Sequence, residues 1–102
     1  MASQLKPPEE NEKIANVFAA LGHPHRLRIL EIVSASERPL HIKGVARIIK
    51  TRYAITYKHV KILREAGLVT IYEVGRSRVV APRKPDLYLK IAEFAKNLMS
   101  EK

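Results

Sequence analysis

A long basic helix that leads directly into a short hairpin is the feature that most constrains the fold of this chain. Between Arg52 and Ala66, the residues Thr56, Val60 and Leu63 recur at about one-turn spacing, which predicts a helix with one buried face. Gly67 then supplies the left-handed cap that ends this helix. The outward positions are basic or aromatic, namely Arg52, Tyr53, Tyr57, Lys58 and Lys61. The pattern therefore predicts a helix that binds an anionic surface.

The segments on either side extend this helix into a larger unit. A shorter helix is predicted over residues 42–49, and the polar residues 50–52 connect it to the long helix. Residues 68–74 are rich in branched and aromatic side chains, residues 75–77 can turn the chain, and residues 78–81 return it before Pro82 stops the strand pairing. The sequence therefore predicts a helix-turn-helix followed by a hairpin wing over residues 74–80.

Three further helices are predicted around this unit. Residues 1–10 form a polar leader that we expect to be mobile, and a single folded domain is expected over residues 11–102. The helical patterns cover residues 11–21, 24–34 and 85–100, and a very short strand is predicted at 40–42. The second helix is apolar nearly all round, so we expect it in the middle of the core. The predicted fold class is mainly α with a small β-hairpin.

The excess positive charge lies in the helix-turn-helix and its wing. The 102-residue chain has 19 Lys and Arg against 10 Asp and Glu, a formal net charge of +9. Residues 41–84 hold eleven of these basic residues and two of the acidic ones, so they account for the whole net charge. Such clustering favours a polyanionic partner. Nucleic acid is favoured over an anionic membrane because the unit has a turn and a hairpin instead of a single amphipathic helix.

The composition argues against several other classes of protein. There is no cysteine, which removes disulfides, thiolate metal sites and cysteine nucleophiles. The sequence has no glycine-rich phosphate loop, no paired carboxylates in a pocket-forming pattern and no activated serine, so we expect no enzymatic activity. No signal-peptide pattern or bilayer-spanning apolar stretch is present. We therefore expect a cytoplasmic, nucleoid-associated protein.

The last predicted helix carries more apolar surface than one small neighbour can cover. One interpretation is that it folds back onto the core of its own chain. The preferred interpretation is a homodimer in which the first and last helices pair across a two-fold axis, with two recognition helices about 34 Å apart on an inverted repeat. The residues predicted at this dimer interface are Ile14, Val17, Phe18, Leu87, Tyr88, Ile91, Phe94 and Leu98.

Three motifs together resemble the ArsR-type winged helix-turn-helix regulators of bacteria and archaea. They are LGHPHRLRILEIV at Leu21–Val33, HVKILREAGLV at His59–Val69 and VGRSRVV at Val74–Val80. The resemblance covers about residues 14–98. It implies two helices, a short strand, a third helix, a recognition helix, a two-stranded wing and a last helix, with the first and last helices forming the dimer. It also implies a transcriptional regulator, more often a repressor.

The sequence departs from that family at the sites where many members bind metals. The stretch LHIKG at residues 40–44 has no thiol for a Cys-x-Cys site, and the last helix offers Asp86 and Glu93 without a histidine. The recognition helix also differs, because Arg52 stands at the usual serine cap with Thr51 beside it, and Thr56 replaces the usual inward valine. The resemblance therefore does not extend to metal sensing by either route.

The four histidines are candidates for a separate metal site. His23 and His25 flank Pro24 and could chelate, and His41 could meet His59 in space, but no carboxylate accompanies either pair. By resemblance, His59 occupies a structural position near the core. We therefore expect no metal site and no cofactor.

Each candidate DNA contact has an expected role. Arg52, Tyr53 and Tyr57 are expected to face base edges, and Ala54 permits close approach. Lysines are expected on phosphates, and Arg76 and Arg78 at the wing tip are expected on the adjacent backbone or minor groove. The predicted set is Lys43, Thr51, Arg52, Tyr53, Ala54, Tyr57, Lys58, Lys61, Arg76 and Arg78.

Two alternatives to a site-specific regulator of double-stranded DNA stay open. A non-specific architectural or chromatin-like DNA-binding protein would share the fold and the charge but would prefer no sequence. A winged-helix protein-interaction module would ignore DNA, and the clustering of charge disfavours it.

Overall fold

The computed structural model of the chain describes Leu5 and residues 7–100. Five helices and three strands follow in the order α1 (Pro8–Leu21), α2 (Pro24–Ser34), β1 (Leu40–His41), α3 (Ile42–Ile49), α4 (Tyr53–Glu65), β2 (Val69–Val74), β3 (Ser77–Pro82) and α5 (Leu87–Ser100). The predicted fold class is confirmed: these residues form a mainly helical fold with a small antiparallel sheet. The sheet has the strand order β1-β3-β2, so the predicted short strand pairs with the wing.

The first helix begins earlier than the sequence predicted. Met1–Gln4 and Lys6 of the predicted leader lie outside the described residues, but residues 8–10 are helical. Pro8 occupies the first turn, where its missing N–H costs nothing, and Glu9 and Glu10 complement the positive end of the helix dipole. The interpretation of residues 8–10 as part of a leader was therefore wrong.

The core forms around α2, as its apolar pattern predicted. Ile29, Leu30 and Val33 of this helix are completely or almost completely buried. They contribute to one cluster with residues of α1, α3, α4 and the wing, including Val45, Val60, Leu63 and Val80. Because α2 contacts every other helix, it fixes where α4 and the wing lie relative to each other.

Both helices of the helix-turn-helix end in a left-handed residue. After α4, the N–H of Gly67 donates to the carbonyl of Arg64 and the N–H of Leu68 donates to that of Leu63, which is a Schellman motif with Gly67 at φ +82°. The same hydrogen-bond pattern closes α3, but there the left-handed residue is Lys50, at φ 59°. The sequence predicted the first cap from its glycine and gave no sign of the second.

The wing is a two-residue hairpin. Val74 pairs with Ser77, and Gly75 adopts φ +61° at the first of the two turn positions, a conformation that glycine takes without steric cost. Pro82 was expected to stop the pairing, yet it is the last residue of β3 and lies opposite Val69. The proline tolerates this position because it stands at the end of the strand.

The last helix rests on the domain along one side only. Leu87, Tyr88 and Ile91 are half-buried against the core, but α5 contains no fully buried residue. Among Leu5 and residues 7–100, no helix combines the length and the apolar character needed to cross a membrane.

Candidate nucleic-acid interface

The start of α4 presents its predicted contact residues to solvent. The helix begins at Tyr53, and Arg52 is its N-cap residue with extended backbone and no side-chain capping bond. Arg52, Ala54 and Lys58 are exposed, and Tyr53 is 37% exposed. Thr56 is completely buried, and its hydroxyl donates to the carbonyl of Arg52 at 3.0 Å. The predicted inward register of α4 is therefore confirmed.

Thr51 has a different environment from its exposed neighbours. It is half-buried in the turn, its N–H donates to the carbonyl of Ala46 at 3.0 Å, and its hydroxyl lies 3.4 Å from the carbonyl of Ile49. Both of these contacts fix the connection between α3 and α4. Thr51 therefore fixes the backbone of the turn that leads into Arg52.

Tyr57 is less exposed to solvent than the sequence predicted. Its side chain is half-buried and packs against the hydrophobic core, and its ring stacks on that of Tyr53 with 5.9 Å between centroids. The ammonium of Lys61 lies 4.8 Å from the Tyr57 ring centre, and the guanidinium of Arg78 lies 4.7 Å from it. Because cations near a ring face are attracted by its quadrupole, Tyr57 holds two basic side chains in place.

Arg78 connects the wing to the recognition helix. Its Nε donates to Glu73 Oε2 at 3.2 Å across the hairpin, and a terminal nitrogen donates to the Tyr53 hydroxyl at 3.4 Å. The hydrogen bond to Tyr53, followed by the charge interactions with Tyr57 and Glu73, raises the pKa of Arg78 further above its usual value. Arg78 was predicted at the wing tip, but it lies on β3, and of the two wing arginines only Arg76 occupies the turn.

A shallow concavity joins these elements. It has a volume of about 370 Å³ and is lined by His41, Lys43, Tyr53, Arg76, Ser77 and Arg78. Four of these six residues were predicted contacts, and they come from α3, α4 and the wing. The sequence did not predict His41 or Ser77 as contact residues. The one available signal was that His41 stands two residues before Lys43, at the start of α3.

Comparisons with known proteins agree with this geometry. The model of the helix-turn-helix domain family matches residues 21–72, which is half of the chain. The chain belongs to the helix-turn-helix domain family. A comparison of the sequence with curated proteins gives no match.

Solved structures of similar fold come from several bacteria. The homodimeric winged helix-turn-helix DNA-binding domain of a possible ArsR-family transcriptional regulator from Mycobacterium bovis has a TM-score of 0.76 at 18% identity, covering 90% of this chain and 88% of that one. NolR from Sinorhizobium fredii has a TM-score of 0.74 at 20% identity, covering 97% and 99%. Rv0081 from Mycobacterium tuberculosis has a TM-score of 0.72 at 24% identity, covering 93% and 92%. The resemblance to ArsR-type regulators is thus confirmed for the fold.

The predicted dimer-interface residues of this helix-turn-helix protein fall into two groups. Val17, Leu87, Tyr88 and Ile91 are half-buried against the core of their own chain. By contrast Ile14, Phe18, Phe94 and Leu98 are 42–62% exposed. An apolar concavity of about 450 Å³ lies between α1, α2 and α5, and Phe18 and Phe94 are among the residues that line it. The first group packs α1 and the last helix onto their own domain, and the second forms an apolar face that the single chain leaves open.

The predicted pair of His23 and His25 is present, but His59 joins it instead of meeting His41. His23, His25 and His59 form one half-buried cluster, with ring centroids 4.5–5.5 Å apart. Burial, followed by the charges of His23, Arg26 and His25, lowers the pKa of His59 from its usual value. His41, the other candidate neighbour of His59, lies apart from the cluster and lines the concavity that Lys43 also lines. A contact between residues separated by more than 30 positions left no mark in the local sequence pattern.

Proposed function

We propose that this protein is a sequence-specific transcriptional regulator that binds double-stranded DNA as a homodimer and acts by binding alone. Helix α4 enters the major groove, and the wing lies on the adjacent backbone or minor groove. The observation that carries the proposal is the convergence of Lys43, Tyr53, Arg76 and Arg78 from three separate elements around one concavity. A surface that is merely solvated needs no such convergence.

The side chains divide into contacts and supports. Arg52 and Tyr53 read base edges, because they occupy the exposed N-terminal turn that a recognition helix presents to the groove. Ala54 allows the helix to approach closely, and Lys43 and Lys58 bind phosphates. Arg76 makes the contact from the wing tip. Tyr57, Lys61 and Arg78 form the stack that holds the wing against α4, and Thr51 fixes the turn.

The homodimer rests on the exposed residues of α1 and α5. Phe18 and Phe94 are both more than 60% exposed on the same concavity, and pairing this face with a second copy removes it from water. The similar domain from Mycobacterium bovis is itself a homodimer. Two recognition helices related by a two-fold axis fit an inverted repeat with half-sites about 34 Å apart. By the habit of the family it resembles, the regulator represses.

The test is selection of bound sites from a random duplex pool at physiological salt, with light scattering on the same sample. We expect a dimer and an enriched inverted repeat with half-sites one helical turn apart. Tight binding without an enriched motif would favour an architectural protein, and absence of binding would favour a protein-interaction module. Arg28→Ala on α2 is the control, because it removes one exposed positive charge from a residue that lines neither this concavity nor the apolar one.

The salt dependence provides a second check. Log affinity should fall linearly with log salt, with a slope of about 0.9 for each phosphate that a lysine or arginine neutralises. Lys43→Ala and Lys58→Ala should each reduce that slope by about two such contacts, one from each protomer of the dimer, whereas Arg28→Ala should leave it unchanged. A slope near zero for the unaltered protein would contradict the proposed interface.

A further inference from the structure

Three imidazole rings meet at the junction of α2 and α4. His23 and His25 flank Pro24 at the start of α2, and His59 comes from the middle of α4. One candidate ligand nitrogen from each ring lies within 4.8 Å of those of the other two. All three residues are half-buried, so the rings are held by their surroundings and still open to solvent on one side.

Two of these rings already use their lone pairs. The Nδ1 of His23 accepts the N–H of His25 at 3.0 Å, which caps α2. The Nδ1 of His59 lies 3.1 Å from a terminal nitrogen of Arg26, and because a guanidinium only donates, Nδ1 is the acceptor. A neutral imidazole has a single lone-pair nitrogen, so its Nε2 then carries the proton.

We propose that His23, His25 and His59 form a site for a divalent transition-metal ion of the zinc class. Imidazole suits zinc, nickel, cobalt and copper, whereas magnesium and calcium require oxygen ligands. Three protein ligands leave the fourth position of a tetrahedral ion to water or a small anion. These three ligands come from α2 and α4. They differ from the residues of the two family metal sites, at 40–44 and on the last helix, where this sequence lacks ligands.

Metal binding and the existing hydrogen bonds exclude each other. The ion takes the single lone pair of each neutral ring, and the other ring nitrogen then carries the proton. Neither nitrogen can accept a hydrogen bond after that, so the bonds at His23 Nδ1 and His59 Nδ1 must both break. Arg26 also donates to the carbonyls of Ala19 and Ala20 at the end of α1. Without metal, Arg26 therefore connects α1 to the recognition helix through His59, and metal releases α4 from that connection.

The electrostatic surroundings limit the affinity. Arg26 places a positive charge beside His59, and the N-terminus of α2 adds its positive dipole end at His23. Both disfavour a second cation. Removing the guanidinium should therefore tighten metal binding, because it frees the His59 lone pair and removes the repulsion together.

The first test measures binding of Co²⁺ by its visible absorption and of Zn²⁺ by competition with a chromophoric chelator, on full-length protein without a histidine tag. We expect one ion per chain. His25→Gln should weaken binding at least about tenfold, since even loss of an outer partner of a metal ligand costs that much. This variant keeps the α2 cap, because His25 supplies that bond from its backbone. His41→Gln is the matched control and should bind as the unaltered protein does.

A second variant guards against non-specific binding. Arg26→Ala should bind Zn²⁺ more tightly than the unaltered protein, by about tenfold or more, because the repulsion and the competing hydrogen bond are both removed. Circular dichroism checks that the variant is folded. Failure of the unaltered protein to bind Co²⁺ or Zn²⁺, equal binding by His25→Gln and His41→Gln, or weaker binding by folded Arg26→Ala would each overturn the site.

The link to regulation rests on the proposed DNA-binding function and is measured separately. Affinity for the selected DNA site, with and without one equivalent of Zn²⁺, should differ in the unaltered protein and not in His25→Gln. If metal binds as described but no DNA site exists, the metal site stands and the regulator proposal fails. If a DNA site exists and no metal binds, the reverse holds.

Discussion

The concavity formed by α3, α4 and the wing differs from the apolar face of α1 and α5 in how its side chains are held. At the concavity, Tyr53 and Arg78 of its lining are supported by each other and by Tyr57 beside them, through ring stacking, a hydrogen bond and a cation–ring contact. On the apolar face, Phe18 and Phe94 are more than 60% exposed. The first surface is organised before any partner arrives, so binding there costs little ordering. The second gains its stabilisation only when a partner excludes water.

Phe94→Glu should have the largest effect because it attacks the apolar face. A glutamate on this face would be buried in the dimer without a partner for its charge, so we expect monomers in light scattering. We also expect a loss of DNA affinity of about a hundredfold or more, since two linked half-sites bind with strong avidity. Asn97→Glu adds the same charge to an exposed polar position of the same helix and should stay dimeric. A dimeric Phe94→Glu protein would place the interface elsewhere.

Arg52→Ala tests base reading at the start of α4. We expect a loss of about 1–3 kcal/mol in binding the selected site, together with relaxed preference at one base pair, because a bidentate contact to guanine is lost. Lys58→Ala, six residues further along, should weaken binding to all sequences alike. Repeated site selection with both variants makes the comparison, and identical preferences for the two would remove Arg52 from base contact.

Tyr57→Leu tests whether the wing is held in advance. Loss of the contacts with Lys61 and Arg78, at about 0.5–1 kcal/mol each, should speed amide hydrogen exchange in residues 73–78 and weaken DNA binding several-fold without changing the preferred sequence. Tyr57→Phe keeps the ring and should resemble the unaltered protein. If Tyr57→Phe instead changed the preferred base, the hydroxyl would be a direct contact.

Lys50→Gly should have the smallest effect of these substitutions, and it should stabilise the fold. Lysine at φ 59° is disfavoured by its Cβ, whereas glycine adopts this conformation freely but loses more entropy on folding. We expect the free energy of unfolding in urea to rise by up to about 1 kcal/mol. Lys50→Ala removes the same charge and keeps the Cβ, so it should give no such gain. A loss of stability in Lys50→Gly would show that the lysine side chain makes a stabilising contact.

Local patterns in the sequence predicted the elements well. The spacing of Thr56, Val60 and Leu63 gave the buried face of α4, and Gly67 gave its end, because both depend on neighbours within a few residues. The same reasoning could not place Arg78 against Tyr53, 25 residues away, or bring His59 to His23. Those contacts depend on how α2 sets α4 against the other elements, and periodicity carries no information about that packing.

The Schellman cap at Gly67 has a mechanical consequence. Leu68 donates to Leu63 in α4 and its carbonyl accepts the N–H of Arg83 just after β3, so no slack residues separate the recognition helix from the base of the wing. The helix and the wing are therefore held at a fixed distance and orientation relative to each other. A duplex whose groove spacing departs from that distance must itself bend or twist to be bound. Sequence-dependent stiffness of the DNA would then contribute to site choice at base pairs that no side chain touches.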